Sequence, residues 1–480
     1  MRFDNSYARL PEHFYTRTAP VAVSAPRMLK FNQALADDLG LDVPKDEQVR
    51  AKLFTGNLRP EGGEPLALAY AGHQFGHFVP QLGDGRAVLL GELVTRDGRR
   101  FDMQLKGSGR TPFSRGGDGR AAFGPVLREY LISEAMHALG VPTTRSLAAA
   151  ATGETVYREA PLPGAVLTRL AASHLRIGTF QYFAARGDGE AVRLLVDYAI
   201  GRHYPQLKEA ENPALALYGA VVEAQAKLVA KWLSVGFIHG VMNTDNTSIS
   251  GETIDYGPCA FVDAYDHMTV FSSIDAQGRY AYANQPPIAQ WNLARLAETL
   301  IGVIDDDRDR AIAQATDRLE AFMPAFRAEW TRLMRAKLGL FAEEEGDTQL
   351  ANDLFNAMHK AGVDFTLTFR TLPAHLEGDA GDENDPVEIR EWLAAWRARQ
   401  ARETRSVQER RALMNGANPV FIPRNHRVEQ ALELATQGDF AAFDRLLEAI
   451  SSPFTLRTEF MDLAQPPKPD ERVLQTFCGT

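Results

Sequence analysis

Apolar and polar positions change rhythm along this 480-residue chain, and the changes divide it. Residues 1–65 are irregular and proline-punctuated, with a helix predicted over 27–39, and read as an arm packed against something else. From Leu82 the rhythm becomes that of strands. Residues 87–94 are followed by the turn Arg96-Asp97-Gly98 and a returning strand over 100–106, a hairpin signature. Period-two alternation sets Phe101, Met103 and Leu105 on one face of the return strand and Asp102, Gln104 and Lys106 on the other. After a glycine-rich connection over 107–119 a helix is predicted, with Pro125 in its first turn and Gly140 past its end. Two further strand candidates bracket Thr152-Gly153, and a third covers 165–169. Beyond Leu170 the period is helical. The clearest case is an amphipathic helix over 213–235, with others predicted over 288–304, 308–340 and 347–361. An acidic, glycine-rich loop over 377–385 precedes short helices and a loose tail.

The order strand, strand, helix, strands, then helices is that of a bilobal protein-kinase-like fold of the α+β class. Its expected divisions are an N-terminal extension (1–65), a small β-rich lobe with one key helix (66–170), a helical lobe carrying a catalytic loop (171–375) and a C-terminal extension (376–480).

Composition narrows the classes. A net charge of −10 speaks against a general nucleic-acid or membrane-surface binder. No apolar run is long enough to span a bilayer, and the N-terminus lacks an apolar signal core, so a cytoplasmic protein is expected. Nothing demands a dimer. Two cysteines, Cys259 and Cys478, cannot build a disulfide framework.

The segment His239-Gly240-Val241-Met242-Asn243-Thr244-Asp245-Asn246, with Asp255-Tyr256-Gly257 soon after, carries the most chemistry. A kinase catalytic loop reads H-R-D-L-x-x-x-N and is followed by D-F-G. Here His239 and Asn246 fall in register, but Val241 stands where a kinase keeps its catalytic Asp. Asn246 and Asp255 offer the hard oxygen ligands that Mg²⁺ or Mn²⁺ takes alongside phosphates. Asp245 could act as a base toward a hydroxyl. Lys106 on the strand and Glu129 on the following helix copy the pair that orients a nucleotide phosphate in kinases. Gly83-Asp84-Gly85-Arg86 stands where a glycine-rich loop would. Arg110, Arg115 and Arg120 punctuate a second flexible run that suits a phosphate-binding lid, and Arg169 and Arg176 flank the junction of the lobes. Each also has a plain structural reading: surface ion pairs for the charged residues, a self-bonded turn for Asn243, Asp245 and Asn246, and core packing for His239, which has no second His at ligand spacing.

Taken with Ala71-Gly72-His73-Gln74-Phe75-Gly76, the stretch 81–86, Gln104-Leu105-Lys106-Gly107-Ser108-Gly109 and Pro258, these residues resemble the selenoprotein O family over nearly the whole chain. The resemblance implies a pseudokinase fold that binds ATP flipped relative to a kinase. AMP is then transferred to Ser, Thr or Tyr hydroxyls of proteins, with release of pyrophosphate. It implies nucleotide contacts from Gly83, Gly85, Arg86, Lys106, Asp118, Gly119, Arg169, Arg176 and Asp255, a base at Asp245, and Mg²⁺ or Mn²⁺ at Asn246 and Asp255. Family members also transfer UMP with Mn²⁺, which leaves the nucleotide open. A redox-active residue near the C-terminus matches Cys478; the family's partner position falls near 270–273, where this chain has no cysteine, and Cys259 is the other thiol. Two rival readings stay open: an inert nucleotide-binding scaffold, and a protein kinase with a relocated base.

Overall fold

Alternating apolar strands fold, in a computed structural model describing residues 1–377 and 385–477, into a mainly antiparallel sheet backed by helices. In chain order its parts are β1 (Tyr15–Arg17), β2 (Arg27–Phe31), α1 (Gln33–Asp38), α2 (Glu47–Phe54), β3 (Leu66–Leu68), a separate hairpin β4 (Gly72–Gln74) and β5 (His77–Val79), then β6 (Ala87–Val94), β7 (Arg100–Lys106), β8 (Ala121–Ala122), α3 (Phe123–Ala138), β9 (Arg145–Tyr157) and β10 (Pro161–Ala171). The strand order is β1-β3-β6-β7-β10-β9-β2, with β8 paired to β10. The arm therefore supplies both ends of the sheet.

Three expectations are corrected. Residues 27–39 are not one helix: Arg27–Phe31 pairs with β9, and Asn32 then caps the short α1 by accepting from the Leu35 N–H. Thr152-Gly153 does not separate two strands, because β9 runs through it, with Gly153 at φ +73° where a Cβ would press on Ala25. The predicted helix 308–340 breaks at Ala321 into two, Arg308–Glu320 and Phe322–Lys337. Of the loop expected over 377–385, residues 378–384 lie outside the described residues.

The second half is helical: α4 (Ile177–Ala184), α5 (Gly189–His203), α6 (Pro213–Ser234), then β11 (Phe237–Ile238) and β12 (Ala260–Phe261), α7 (Gln285–Ile304), α8 (Arg308–Glu320), α9 (Phe322–Lys337), α10 (Asp347–Ala361), α11 (Phe365–Thr371), α12 (Val387–Gln400), α13 (Val407–Ala417), α14 (Asn425–Thr436) and α15 (Ala441–Ile450). Asn212 caps α6 and Pro213 opens it, where a missing N–H costs nothing. The β11–β12 ribbon fixes both ends of the loop 239–259. None of the helices among the described residues is long and apolar enough to cross a membrane.

Helix α3 is buried along most of its length, charged residues included. Buried charge is costly unless paired, and each is paired: Glu134 with Arg145, Arg128 with Glu429 of α14, and Glu129 with Lys106 and Arg169. The last pairing ties the helix to the polar face of β7. That face, far from being solvated, is covered: Asp102 and Gln104 are buried as fully as Met103 and Leu105 on the other side.

Candidate active site

A cleft of about 510 Å³ lies where the sheet meets the helical half, ample for a nucleotide. Gly83, Gly85, Arg86, Lys106, Asp118, Gly119, Arg169, Arg176, Asp245, Asn246 and Asp255 all line it, so residues spread over more than a third of the chain converge on one space. Glu129 stands behind Lys106, its Oε2 2.5 Å from the lysine Nζ and its Oε1 3.0 Å from Arg169 Nη1.

Asp255 is the hub. Its carboxylate receives Lys106 at 2.8 Å, Arg169 at 2.6 Å and Arg176 at 3.0 Å. Burial pushes this carboxyl up, but Arg169, Lys106 and Arg176 outweigh burial and hold it well below the usual range. Its backbone sits at φ +63°, a left-handed conformation uncommon for a non-glycine residue and a mark of a position held by its surroundings. Arg176 also donates to the Asp245 carbonyl at 2.8 Å and lies over the Tyr70 ring.

Asp245 has the opposite environment. It is buried, its Oδ1 has no hydrogen-bond partner, and its Oδ2 meets Gln74 Nε2 at 3.4 Å. Burial pushes its carboxyl up to about 6, against the pull of Arg176. Of the carboxylates that line the cleft, Asp255 is held ionised and Asp245 is poised to gain or lose a proton near neutrality, the division of labour expected of an acid–base site. Neighbouring Asn246 donates from Nδ2 to the Val241 carbonyl at 3.0 Å, which turns the oxygen end of its amide the other way.

The loop is held from above by the β4–β5 hairpin. The His73 N–H donates to Thr244 Oγ1 at 2.7 Å and the Phe75 N–H to Asn243 Oδ1 at 3.0 Å. Gly72 has no room for a Cβ, because Asp245 fills that space. His239 is a packed residue: its ring lies against Trp232 and its Nε2 contacts the Ile254 carbonyl at 2.9 Å.

The glycine-rich stretches lock onto each other. A Cβ at Gly83, where φ is +69°, would overlap the Phe113 ring. Thr111 Oγ1 donates to the Asp84 carbonyl and Ser114 Oγ to that of Gly85. Close loop packing is thus one reason for these glycines, besides close approach to a ligand. Arg115 and Arg120 both line the cleft, and Arg120 is in addition engaged by the carbonyls of Val21 and Ala22 and by Glu154. Arg158 holds Asp118, whose carboxyl lies below its usual range through that bond.

Comparison with known proteins now bears on this geometry. Residues 1–451 match the family described as protein adenylyltransferase SelO. The chain belongs to the SelO family. It is 60% identical over 485 residues to the protein nucleotidyltransferase YdiU of Rhizobium johnstonii, covering 100% of this chain and 97% of that one. It is 59% identical to YdiU of Rhizobium meliloti and to that of Bradyrhizobium sp. ORS 278, covering 100% of this chain and 99% of each relative. The resemblance read in the sequence is thereby established, and the chain is a protein nucleotidyltransferase.

Within this SelO-family cleft, Tyr70, Gln74, Phe113 and Arg158 also line the space, and sequence reasoning gave them no role. Gln74 lay in a motif already singled out; Arg158, in the turn between β9 and β10, carried no local signal. Cys259 is buried beside the Asp255 segment, and Cys478 lies outside the described residues.

Proposed function

We propose that the cleft transfers AMP from ATP to Ser, Thr or Tyr hydroxyls of proteins, with Asp245 as base. The observation that carries this reading is the buried Asp245 carboxyl, one oxygen unpartnered, facing the same cleft as Lys106, Arg169 and Arg176. In this reading Val241 excludes the usual kinase base, and a base four residues later serves a nucleotide bound in reverse. The kinase-like assignment is supported by the Lys106–Glu129 pair between strand and helix and by a cleft between sheet and helices.

The donor set fits a hard divalent cation: an orphan carboxylate oxygen on Asp245, an amide oxygen on Asn246, and the Asp255 carboxylate. Asn246 and Asp255 would hold Mg²⁺ or Mn²⁺, with Asp245 beside them, and the ion would supply charge neutralisation at the phosphates. The protein's own part is separable. Lys106, Arg169 and Arg176 position the phosphates and compensate the charge that builds on the departing pyrophosphate. Arg86 and the backbone around Gly119 close the cleft from the sheet side. Asp245 takes the proton of the acceptor hydroxyl as oxygen bonds to the α-phosphorus and the α–β bridging oxygen leaves.

Incubation with ATP labelled at the α- or the γ-phosphorus tests this. Protein-bound α-label is expected. Protein-bound γ-label without α-label would establish phosphoryl transfer instead, and no label of either kind, an inert scaffold. Parallel α-labelled UTP with Mn²⁺ reads the nucleotide preference.

A further inference from the structure

Outside the cleft, three ligating side chains from distant parts of the chain meet at the surface. Asp266 and His267 lie in the segment after β12, and His359 lies in the last turn of α10. The Nδ1 atoms of His267 and His359 are 3.5 and 3.7 Å from Asp266 Oδ1, and one ligand atom from each residue lies within 4.8 Å of the others. None of the three lines the cleft.

These spacings are long for hydrogen bonds, which draw nitrogen and oxygen to about 2.7–3.2 Å. They suit donors around one small cation: ligands ~2.0–2.1 Å from a tetrahedral centre stand roughly 3.4 Å apart. The alternative, two imidazolium ions on one carboxylate, sets like charges side by side, with ring centroids 5.1 Å apart and the rings edge-on at 70°. The carboxylate is also pre-set, because the Met268 N–H donates to the same Asp266 Oδ1 at 2.8 Å.

We propose that Asp266, His267 and His359 form a binding site for a Zn²⁺-class cation. Two imidazole nitrogens and one carboxylate oxygen, with water in the fourth position, favour a borderline metal. The oxygen set of Asp245, Asn246 and Asp255 favours a harder one. Occupancy would clamp the segment after β12 to α10. That segment continues to Tyr280, whose hydroxyl donates to Asn243 Oδ1 at 2.7 Å, so the clamp reaches the support of the catalytic loop.

The test uses the full chain without a polyhistidine tag, stripped with chelator and titrated with CoCl₂, then ZnCl₂. The expected result is a four-coordinate Co²⁺ absorption band that saturates at one equivalent and is displaced by Zn²⁺. His267→Ala and His359→Ala should each remove the band and weaken Zn²⁺ binding at least tenfold, and Asp255→Asn should keep it. All three ligands are exposed, so the fold does not rest on them, and circular dichroism checks this. No band in the wild type, a band surviving in both histidine variants, or a band lost only in Asp255→Asn would overturn the site.

Discussion

At the scale of the residue, Asp245 combines two properties that pull against each other. Its folded carboxyl titrates near 6, above the ordinary 3.8, so the protonated form is favoured by the fold and ionisation costs stability as pH rises through that interval. The cost is on the order of 3 kcal/mol. Asp245→Asn in metal-free protein at pH 8 should therefore melt no lower than wild type, and should melt higher if the amide finds a partner. The same change should lower AMP transfer by about 10²–10⁴-fold, the range for loss of a general base. Wild-type transfer should rise with pH through 6, as the base ionises. Thermal melts and a pH–rate profile check both; a flat profile would remove Asp245 from the base's role. The residues nearest this chemistry were legible in sequence because they crowd into one short loop. Gln74 and Arg158 were not, because their partners Asp245 and Asp118 are 171 and 40 positions away.

At the scale of elements, the site is a set of ties between pieces that would otherwise be independent. Glu129 joins α3 to β7 through Lys106 and to β10 through Arg169. Glu129→Ala leaves Lys106 and Arg169 to share the Asp255 carboxylate with Arg176, with Arg169 still bonded to Gln104, and breaking a buried pair from one side costs about 3–5 kcal/mol. A lowered urea midpoint together with weaker ATP binding is expected; an unchanged midpoint would mean that the pair is solvated. The β4–β5 hairpin tethers the loop 239–259 separately. Gln74→Ala should lower kcat and leave the KM for ATP within about twofold, since Gln74 bonds Asp245 and not Lys106, Arg169 or Arg176. The hairpin β6–β7, α3 and α6 were readable because alternation, turn residues and caps all agree locally. Strand β2 was not. Its Arg-Met-Leu-Lys-Phe run has good helix formers, and only pairing with β9, more than a hundred residues later, makes it a strand. The break between α8 and α9 does carry a local mark, Pro324, whose ring would clash with the Glu320 carbonyl in a continuous helix and is accommodated in the first turn of α9; the expected helix 308–340 ran through it.

At the scale of the whole molecule, both ends of the chain close on α3, the helix that carries Glu129. From the front, β2 extends the sheet under it. From the back, α14 and α15 pack on its outer side, with Arg128 paired to Glu429, Phe123 against Phe440 and Tyr130 against Phe443. Lys30 of β2 joins the two by pairing with Asp444 and lying over the Phe440 ring. The helix that carries Glu129 is thus packed against residues more than three hundred positions away in sequence. Phe443 is fully buried in this contact. Phe443→Ala should cost about 3–5 kcal/mol from lost burial and the cavity left behind. If α3 is positioned from the back, the loss will not stop at stability. At a temperature where the variant is still folded, ATP affinity should fall several-fold, and the fall should be smaller in a Glu129→Ala background, because the residue through which the packing acts is already gone. Nucleotide titrations on the two single variants and the double variant measure that coupling. Strictly additive losses would make α14 and α15 a support for stability alone, with no hold on the site.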